Sequence, residues 1–453
     1  MSALPFNYAK VSLAELAPAS KERTDPTATP DSPYVGLEHI ERDTARLVAK
    51  GTAAEVKSTK NVFRHGDLLY GKLRPYLNKV WLADFDGLCS TDILVFPKSE
   101  AFDNRFLKYR FLTRDFVNHA HSNSSGVNLP RVNSKALGRF VINLPPLLEQ
   151  RRIVARIEEL FSRLDAGVAA LRHAKAQLQR YRQSVLAAAV TGQLTQAWRE
   201  QHPDTEPAEE LLARTLEERC EQWSGKRKYK PPVEPTVEGL PELPSSWSWI
   251  SPDQASAPED YSLAIGPFGS NLKVADYTDT GVPLVFVRHI RANAYDLSPK
   301  FVSAEKSVEL KAHSVDPGDI LITKMGEPPG DAALYPDSRP HAVITADCIK
   351  LRLTESLDAK LFFVNAINSK LVAKQIAPRT RGVAQKKISL DRFRDVAFPL
   401  PPLAEQHQIV AEVEARTTAI DHLEAELDRQ ITRSNRLRQS TLSSAFKGRL
   451  TPQ

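Results

Sequence analysis

Leu144-Pro145-Pro146-Leu147-Leu148-Glu149-Gln150 returns 256 residues later as Leu400-Pro401-Pro402-Leu403-Ala404-Glu405-Gln406. The offset then holds without a gap for about fifty residues, a repeat long enough to mark one structural unit used twice. Ile153 and Val154 align with Ile409 and Val410, Asp165 with Asp421, Leu171 with Leu427, and SVLAAAVTGQLT (184–195) with STLSSAFKGRLT (440–451). Upstream the offset drifts: Gly126-Val127 answers to Gly382-Val383, Gly66-Asp67 to Gly318-Asp319, His39-Ile40 to His289-Ile290, and Leu4-Pro5 to Leu243-Pro244. Drift of this kind means loop insertions between shared scaffold points. The chain therefore reads as two copies, 4–195 and 243–451, around a connector of its own.

The motif divides each copy in two. Before it lie short β-branched and aromatic runs punctuated by Gly, Pro, Asn and Asp, at 92–96, 283–287 and 319–323, which read as strands. Helical stretches at 104–119 and 358–376 make each head a mixed α/β domain. After the motif, Glu149 to Val190 contains no proline and only Gly167. Ile157, Leu164, Leu171, Leu178 and Val185 recur at heptad spacing, with Ile153, Leu160, Ala174 and Tyr181 in the companion set, which predicts a coiled-coil helix of roughly 60 Å. Ile409, Val413, Ile420, Leu423, Leu427 and Leu437 supply a more polar partner stripe in the second copy. The expected architecture is α/β (mixed α+β), two globular domains joined by two long antiparallel helices with an internal pseudo-twofold repeat. Its segments are 1–148 and 243–404 for the heads, 149–195 and 405–453 for the helices, and 196–242 for the connector. The connector is read as a short helix, 207–223, followed by a proline-rich extended tether carrying the basic run Lys226, Arg227, Lys228 and Lys230.

Composition narrows the function. The 453 residues are 42% hydrophobic and 26% charged, with a formal charge of +6, values of a globular protein whose basic surplus favours a polyanionic partner. No apolar run approaches a membrane span and the first residues lack a secretory pattern, so a cytoplasmic location is expected. Cys89, Cys220 and Cys348 are far apart, which argues against disulfide and zinc frameworks; His119 and His121 have no third ligand near them. A phosphate loop of the form GxxxxGK[ST], GxSxG and HExxH are all missing, and no metal or catalytic residue is assigned.

Binding residues are better supplied. GKLRPYLNK (71–79) brings Lys72, Arg74 and Lys79 together with Tyr76 and Asn78, donors suited to phosphates and base edges. Its counterpart around Lys324 differs in sequence, as heads with different targets would. Before each final strand stands a polar glycine loop, HSNSSGVNLPR (121–131) and APRTRGVAQKK (377–387). Gly126 and Gly382 allow positive φ. Around them lie Asn123, Ser125, Asn128 and Arg131 in one loop, and Arg379, Arg381, Gln385, Lys386 and Lys387 in the other. Asn and Gln suit adenine, Arg suits guanine, and Lys mainly suits phosphate.

The duplicated LPPLxEQ followed by a long helix, GQLTQAWR (192–199) with GRLT (448–451), EERCEQW (217–223), KYKPP (228–232) and the entry LPSSWSW (243–249) closely resemble the specificity (S) subunit of type I restriction-modification systems. The resemblance covers essentially the whole chain. It departs at the first entry, LPFNYAKV, where Tyr8 and Lys10 stand in place of Trp247 and Trp249. It implies that each head is a target recognition domain reading half of a split double-stranded DNA site, with the helices setting the gap. The implied partners are two modification (methyltransferase) subunits and two restriction (endonuclease and translocase) subunits. They would dock at Pro145, Pro146, Glu149, Gln150, Pro401, Pro402, Glu405 and Gln406. S-adenosylmethionine, ATP and Mg would belong to those partners, leaving this chain noncatalytic. The competing reading is a protein-binding scaffold that does not touch DNA.

Overall fold

Each head is closed by its own first and last strands. Ala9–Ser12 runs antiparallel to Val141–Leu144, and Ser248–Ile250 antiparallel to Phe398–Leu400. In the computed structural model, which describes residues 8–382 and 385–450, these pairs end directly on the repeated motif. Leu4-Pro5, Val383 and Thr451, cited above as matched positions, lie outside the described residues. After Leu144 and Leu400 the two prolines cannot continue a ladder, and they start a helix instead. The glutamine completes the corner. Gln150 Nε2 donates to Pro145 O at 2.8 Å and Gln406 Nε2 to Pro401 O at 2.9 Å, while both glutamine N–H groups bond the second proline's carbonyl.

From the corners run helices Leu147–Val190 and Leu403–Phe446, 44 residues each. The chain forms two compact units, 1–174 with 426–453 and 175–425, so each unit holds one head, the start of its own helix and the end of the other. Within the first unit Arg438 bonds Asp165, and Phe446 meets Phe106 edge-on at 5.2 Å. Within the second, Arg182 bonds Asp421 and Tyr181 OH lies 3.4 Å from Arg416. Both pairings are antiparallel, and the Arg–Asp clasp is the same interaction made twice, because Asp165 and Arg182 align with Asp421 and Arg438.

The heads share a topology. In the first, Leu68–Gly71 is flanked by Val80–Leu82 and Ile93–Phe96, and a second sheet carries Pro33–Val35 parallel to Gly87–Cys89. In the second, Ile320–Thr323 is flanked by Ala332–Leu334 and Cys348–Leu351, with Val282–Val285 parallel to Ala342–Ile344. Both central strands are buried along their length, as continuous apolar runs require.

Several expectations shift. The helix read at 104–119 is two, Asn104–Phe111 and Arg114–Ser122, and that at 358–376 is also two, Lys360–Ile367 and Lys370–Arg379. Thr113 and Ser369 occupy the N-cap positions at the breaks; the Ser369 hydroxyl accepts from Val372 N–H, the usual cap, whereas the Thr113 hydroxyl donates back to Arg110 O at 2.7 Å. The strand read at 283–287 is Val282–Val285, since Phe286 opens helix Val287–Ala292. Leu423 and Leu437 are 53% and 45% exposed; the inner stripe of the second helix instead follows Val413, Thr417, Ile420, Glu424, Leu427, Ile431 and Ser434. The connector is held rather than free. Helix Ala208–Glu221 buries Ala208 and Leu211 in the second unit's core, and Arg219 donates to Ser256 Oγ at 2.9 Å and Ala257 O at 3.0 Å. Beyond it, Val233 N–H bonds Asp253 and Thr236 N–H bonds Asp395 O at 2.8 Å.

Candidate nucleic-acid interface

The glycine loops are ribbons that extend the central strand of each head. Ser124–Ser125 pairs with Arg131–Val132, and Val132 N–H donates to Lys72 O at 3.0 Å while Arg74 N–H donates to Pro130 O at 2.7 Å. In the other head Met325–Gly326 pairs with Lys386–Lys387, Lys387 bridges back to Arg381, and Ile388 N–H donates to Lys324 O at 3.0 Å. The same backbone frame therefore carries both loops. Gly126 and Gly382 take φ of +104° and +115°; a Cβ on Gly382 would stand 2.2 Å from Gln385 O. Glycine is thus required at the bend, as the sequence suggested.

On this frame Asn123, Ser125, Asn128 and Arg131 are exposed in the first head, together with Arg74 and Tyr76. Tyr76 meets His121 edge-on at 5.8 Å, and His119 Nε2 lies 3.1 Å from Ala136 O, so the two histidines serve loop packing. At the ribbon tip Val127 is 99% exposed and Leu129 46%. In the second head Arg381, Gln385, Lys386 and Lys387 are exposed, with Lys386 2.8 Å from Glu327. Arg379 turns inward, donating to Gln375 O at 3.0 Å. Lys324 is half-buried, its Nζ 3.0 Å from Ala346 O, and desolvation lowers its pKa, with the nearby Asp347 opposing the shift.

Two residues grouped with these on sequence grounds, Asn78 and Lys79, are turned into the head, and a third, Lys72, is paired with a carboxylate while keeping contact with solvent. Asn78 is 1% exposed in a left-handed turn beneath the loop, so its side chain offers no surface to a ligand. Lys79 donates its Nζ to Leu37 O at 2.5 Å. Lys72 lies 3.8 Å from Asp92. What the sequence reading did not single out is that Asp92 and its counterpart Asp347 stand beside the loop cations of their heads: Arg131 Nε is 3.2 Å from Asp92 and Lys387 Nζ 3.9 Å from Asp347. The only sequence signal was their shared position at the start of matching strands.

The corner residues named for partner docking are mostly interior. Gln150, Glu405 and Gln406 are buried, as are Pro145, Pro401 and Pro402, whereas Pro146 is exposed and Glu149 half-buried. Glu405 accepts from Thr195 Oγ1 at 2.7 Å, Arg199 Nη1 at 2.5 Å and Trp247 Nε1 at 2.8 Å. One carboxylate thus ties the end of the first helix, the AWR segment and the second head's entry. Leu148, 74% exposed beside its corner, keeps apolar surface outward. No group of three or more His, Cys, Asp or Glu able to hold a metal occurs among the described residues, and no described helix is long and apolar enough to cross a membrane.

Comparison with known proteins gives one family. Residues 5–171 and 281–433 match the type I restriction modification DNA specificity domain. The chain is 34% identical over 219 residues to the type I restriction enzyme EcoDI specificity subunit of Escherichia coli, covering 48% of this chain and 49% of that one. It therefore spans about half the length of that relative. It is 24% identical over 389 residues to the EcoBI specificity subunit of E. coli, covering 85% of this chain and 74% of that subunit. Among solved structures, a chain from work on complex assembly and conformational transition of the type I R-M system superposes with a TM-score of 0.73 at 22% identity, covering 99% of this chain and all of that one. The HsdS subunit from Thermoanaerobacter tengcongensis gives 0.54 at 22% identity, with 99% and 98% covered. Two matched domain regions, each running from a head into the 44-residue helix that follows that head, make this chain a member of the type I restriction-modification DNA specificity family.

Proposed function

We propose that the chain is the noncatalytic, DNA-reading subunit of a type I restriction-modification complex, each head reading one half of a split double-stranded site. The observation that carries this reading is the duplicated ribbon: one backbone frame, set on the central strand of each head, presents a different set of exposed polar and cationic side chains. A repeated frame with differing fingers is what two half-sites of different sequence require. Arg131, Asn128 and Ser125 in the first head and Gln385 in the second are the base-edge candidates, and Arg74, Lys386 and Lys387 the phosphate contacts. Adenine methylation with S-adenosylmethionine, and ATP- and Mg-dependent translocation and cleavage, then belong to two modification and two restriction subunits in the cytoplasm. Leu148 and the outward faces of the helices are the surfaces left for them.

The test is to map methylated adenines in cells that express the chain with its modification subunits. A single split motif with a fixed gap is expected; a complex that forms yet leaves no motif would overturn the reading. Substituting Arg131 or Gln385 with Ala should weaken one half-site by about 1–3 kcal/mol, whereas Lys387→Ala should weaken all sequences alike.

A further inference from the structure

The loops of the two heads differ, yet one charged constellation is common to both. Asp92 immediately precedes strand Ile93–Phe96, and its carbonyl accepts from Lys72 N–H at 2.9 Å. Its carboxylate lies 3.2 and 3.3 Å from Arg131 Nε and Nη2 and 3.8 Å from Lys72 Nζ. Asp347 immediately precedes Cys348–Leu351, its carbonyl accepts from Lys324 N–H at 2.8 Å, and its carboxylate is 3.9 Å from Lys387 Nζ. Asp347 also opens onto a groove with Arg288, Met325 and Gln385. Both side chains keep contact with solvent, at 26% and 35% exposure, so neither is a core ion pair hidden from a ligand.

A carboxylate on a face that meets a polyanion is unfavourable unless it contributes something. Here it neutralises one of two cations at the root of each reading ribbon. A phosphate approaching Lys72 and Arg131 must also approach Asp92 and is repelled by it, because unit charges a few ångströms apart at a protein surface interact strongly. A base edge carries no net charge and meets no such repulsion; Arg131 can still present its fork to a guanine, and the carboxylate can accept from an exocyclic amine. We propose that Asp92 and Asp347 are specificity-determining residues that hold down sequence-independent phosphate binding at the two reading ribbons, one in each head. The inference rests on the DNA-reading function proposed above.

The experiment compares the full chain, assembled with its modification subunits, with the Asp92→Asn and Asp347→Asn variants on cognate and noncognate duplexes across a range of salt concentrations. Each variant should bind noncognate DNA several-fold more tightly at low salt. The slope of log K against log salt should steepen by about 0.9 for each phosphate newly engaged. The cognate preference should fall, and only for the half-site of the altered head. Adding Arg131→Gln to Asp92→Asn should abolish the excess noncognate binding. Unchanged noncognate affinity and slope, or a loss on all sequences alike, would overturn the proposal, the latter marking the two residues as loop scaffolding. If one substitution unfolds its head, the other reads the same question independently. Absence of any cognate preference in the unaltered complex would remove the DNA-reading function itself, whereas a preference that survives both Asn variants undiminished removes this inference alone.

Discussion

Three donors from two separate stretches, Thr195 with Arg199 and the distant Trp247, converge on Glu405, which has no exposure to water. Thr195, Arg199 and Trp247 leave neither carboxylate oxygen without a partner, and the Arg199 guanidinium also bonds Gly192 O at 2.9 Å. A buried charge so held costs little while its partners remain and a great deal once they are lost. Removing the carboxylate strands an arginine and an indole N–H. We expect Glu405→Ala to lower unfolding free energy by about 3–5 kcal/mol, measured by urea denaturation of the second unit's signal. Glu149, the aligned residue of the first corner, is half-buried and raises the pKa of Tyr8 after the larger effect of burial. Tyr8 stands where Trp247 does, so the departure seen in the entry sequence coincides with a more open corner.

At the scale of elements, both helices were legible, and so was the phase of the first, whereas that of the second was legible only in part. Ile157, Leu164, Leu171, Leu178 and Val185 all face inward as the heptads require, but Tyr181 is 46% exposed and reaches Arg416 through its hydroxyl. In the second helix leucines drew the reading to 423 and 437, whereas packing selects a stripe that includes Thr417, Glu424 and Ile431. Hydrophobicity names candidates for a seam; only spacing relative to the buried anchors Ile409, Val413 and Ile420 fixes which are used. Ile420→Ala should accordingly cost about 2–5 kcal/mol and Leu437→Ala well under 1 kcal/mol, a contrast that thermal melts of the two variants will read. Equal losses would restore the leucine register. The break at Ser369 was hidden for a related reason: a capping hydroxyl and a solvated one look alike until the backbone around them is known; at Thr113 the hydroxyl instead donates back to Arg110 O at 2.7 Å. Asp92 and Asp347 were missed because a carboxylate beside a strand start carries no sign of the cations that a distant loop brings to it.

For the whole molecule, the doubled Asp–Arg clasp and the two unbroken 44-residue helices give the proposed gap-setting role a direct test. One heptad inserted after Ala174, with a matching heptad after Arg429 in the antiparallel partner, adds about 10 Å, close to three base pairs. The methylated motif should keep both half-sites and gain about three base pairs of spacer; an unchanged spacer would exclude the helices as the measure of the gap. The duplication, the corners and the mixed character of the heads could all be read from residue order, because repeats and prolines act locally. Docking of the connector could not. Leu211 and Arg219 look like an ordinary amphipathic face until the second unit's core is seen to receive the one and Ser256 with Ala257 the other.

The strand pairs that close the heads have one further consequence. Ala9 lies opposite Leu144 and Ser248 opposite Leu400, so the chain enters and leaves each head at neighbouring points of one ladder. Everything between is a loop hung on a fixed clasp, and the corner that follows draws its hydrogen bonds from its own prolines and glutamine. A head is thus bounded at a single ladder, where both ends of a foreign segment can be joined at once. Such an exchange has to keep the contacts that bind each head to a helix, Phe106 with Phe446 in the first and Trp247 with Glu405 in the second.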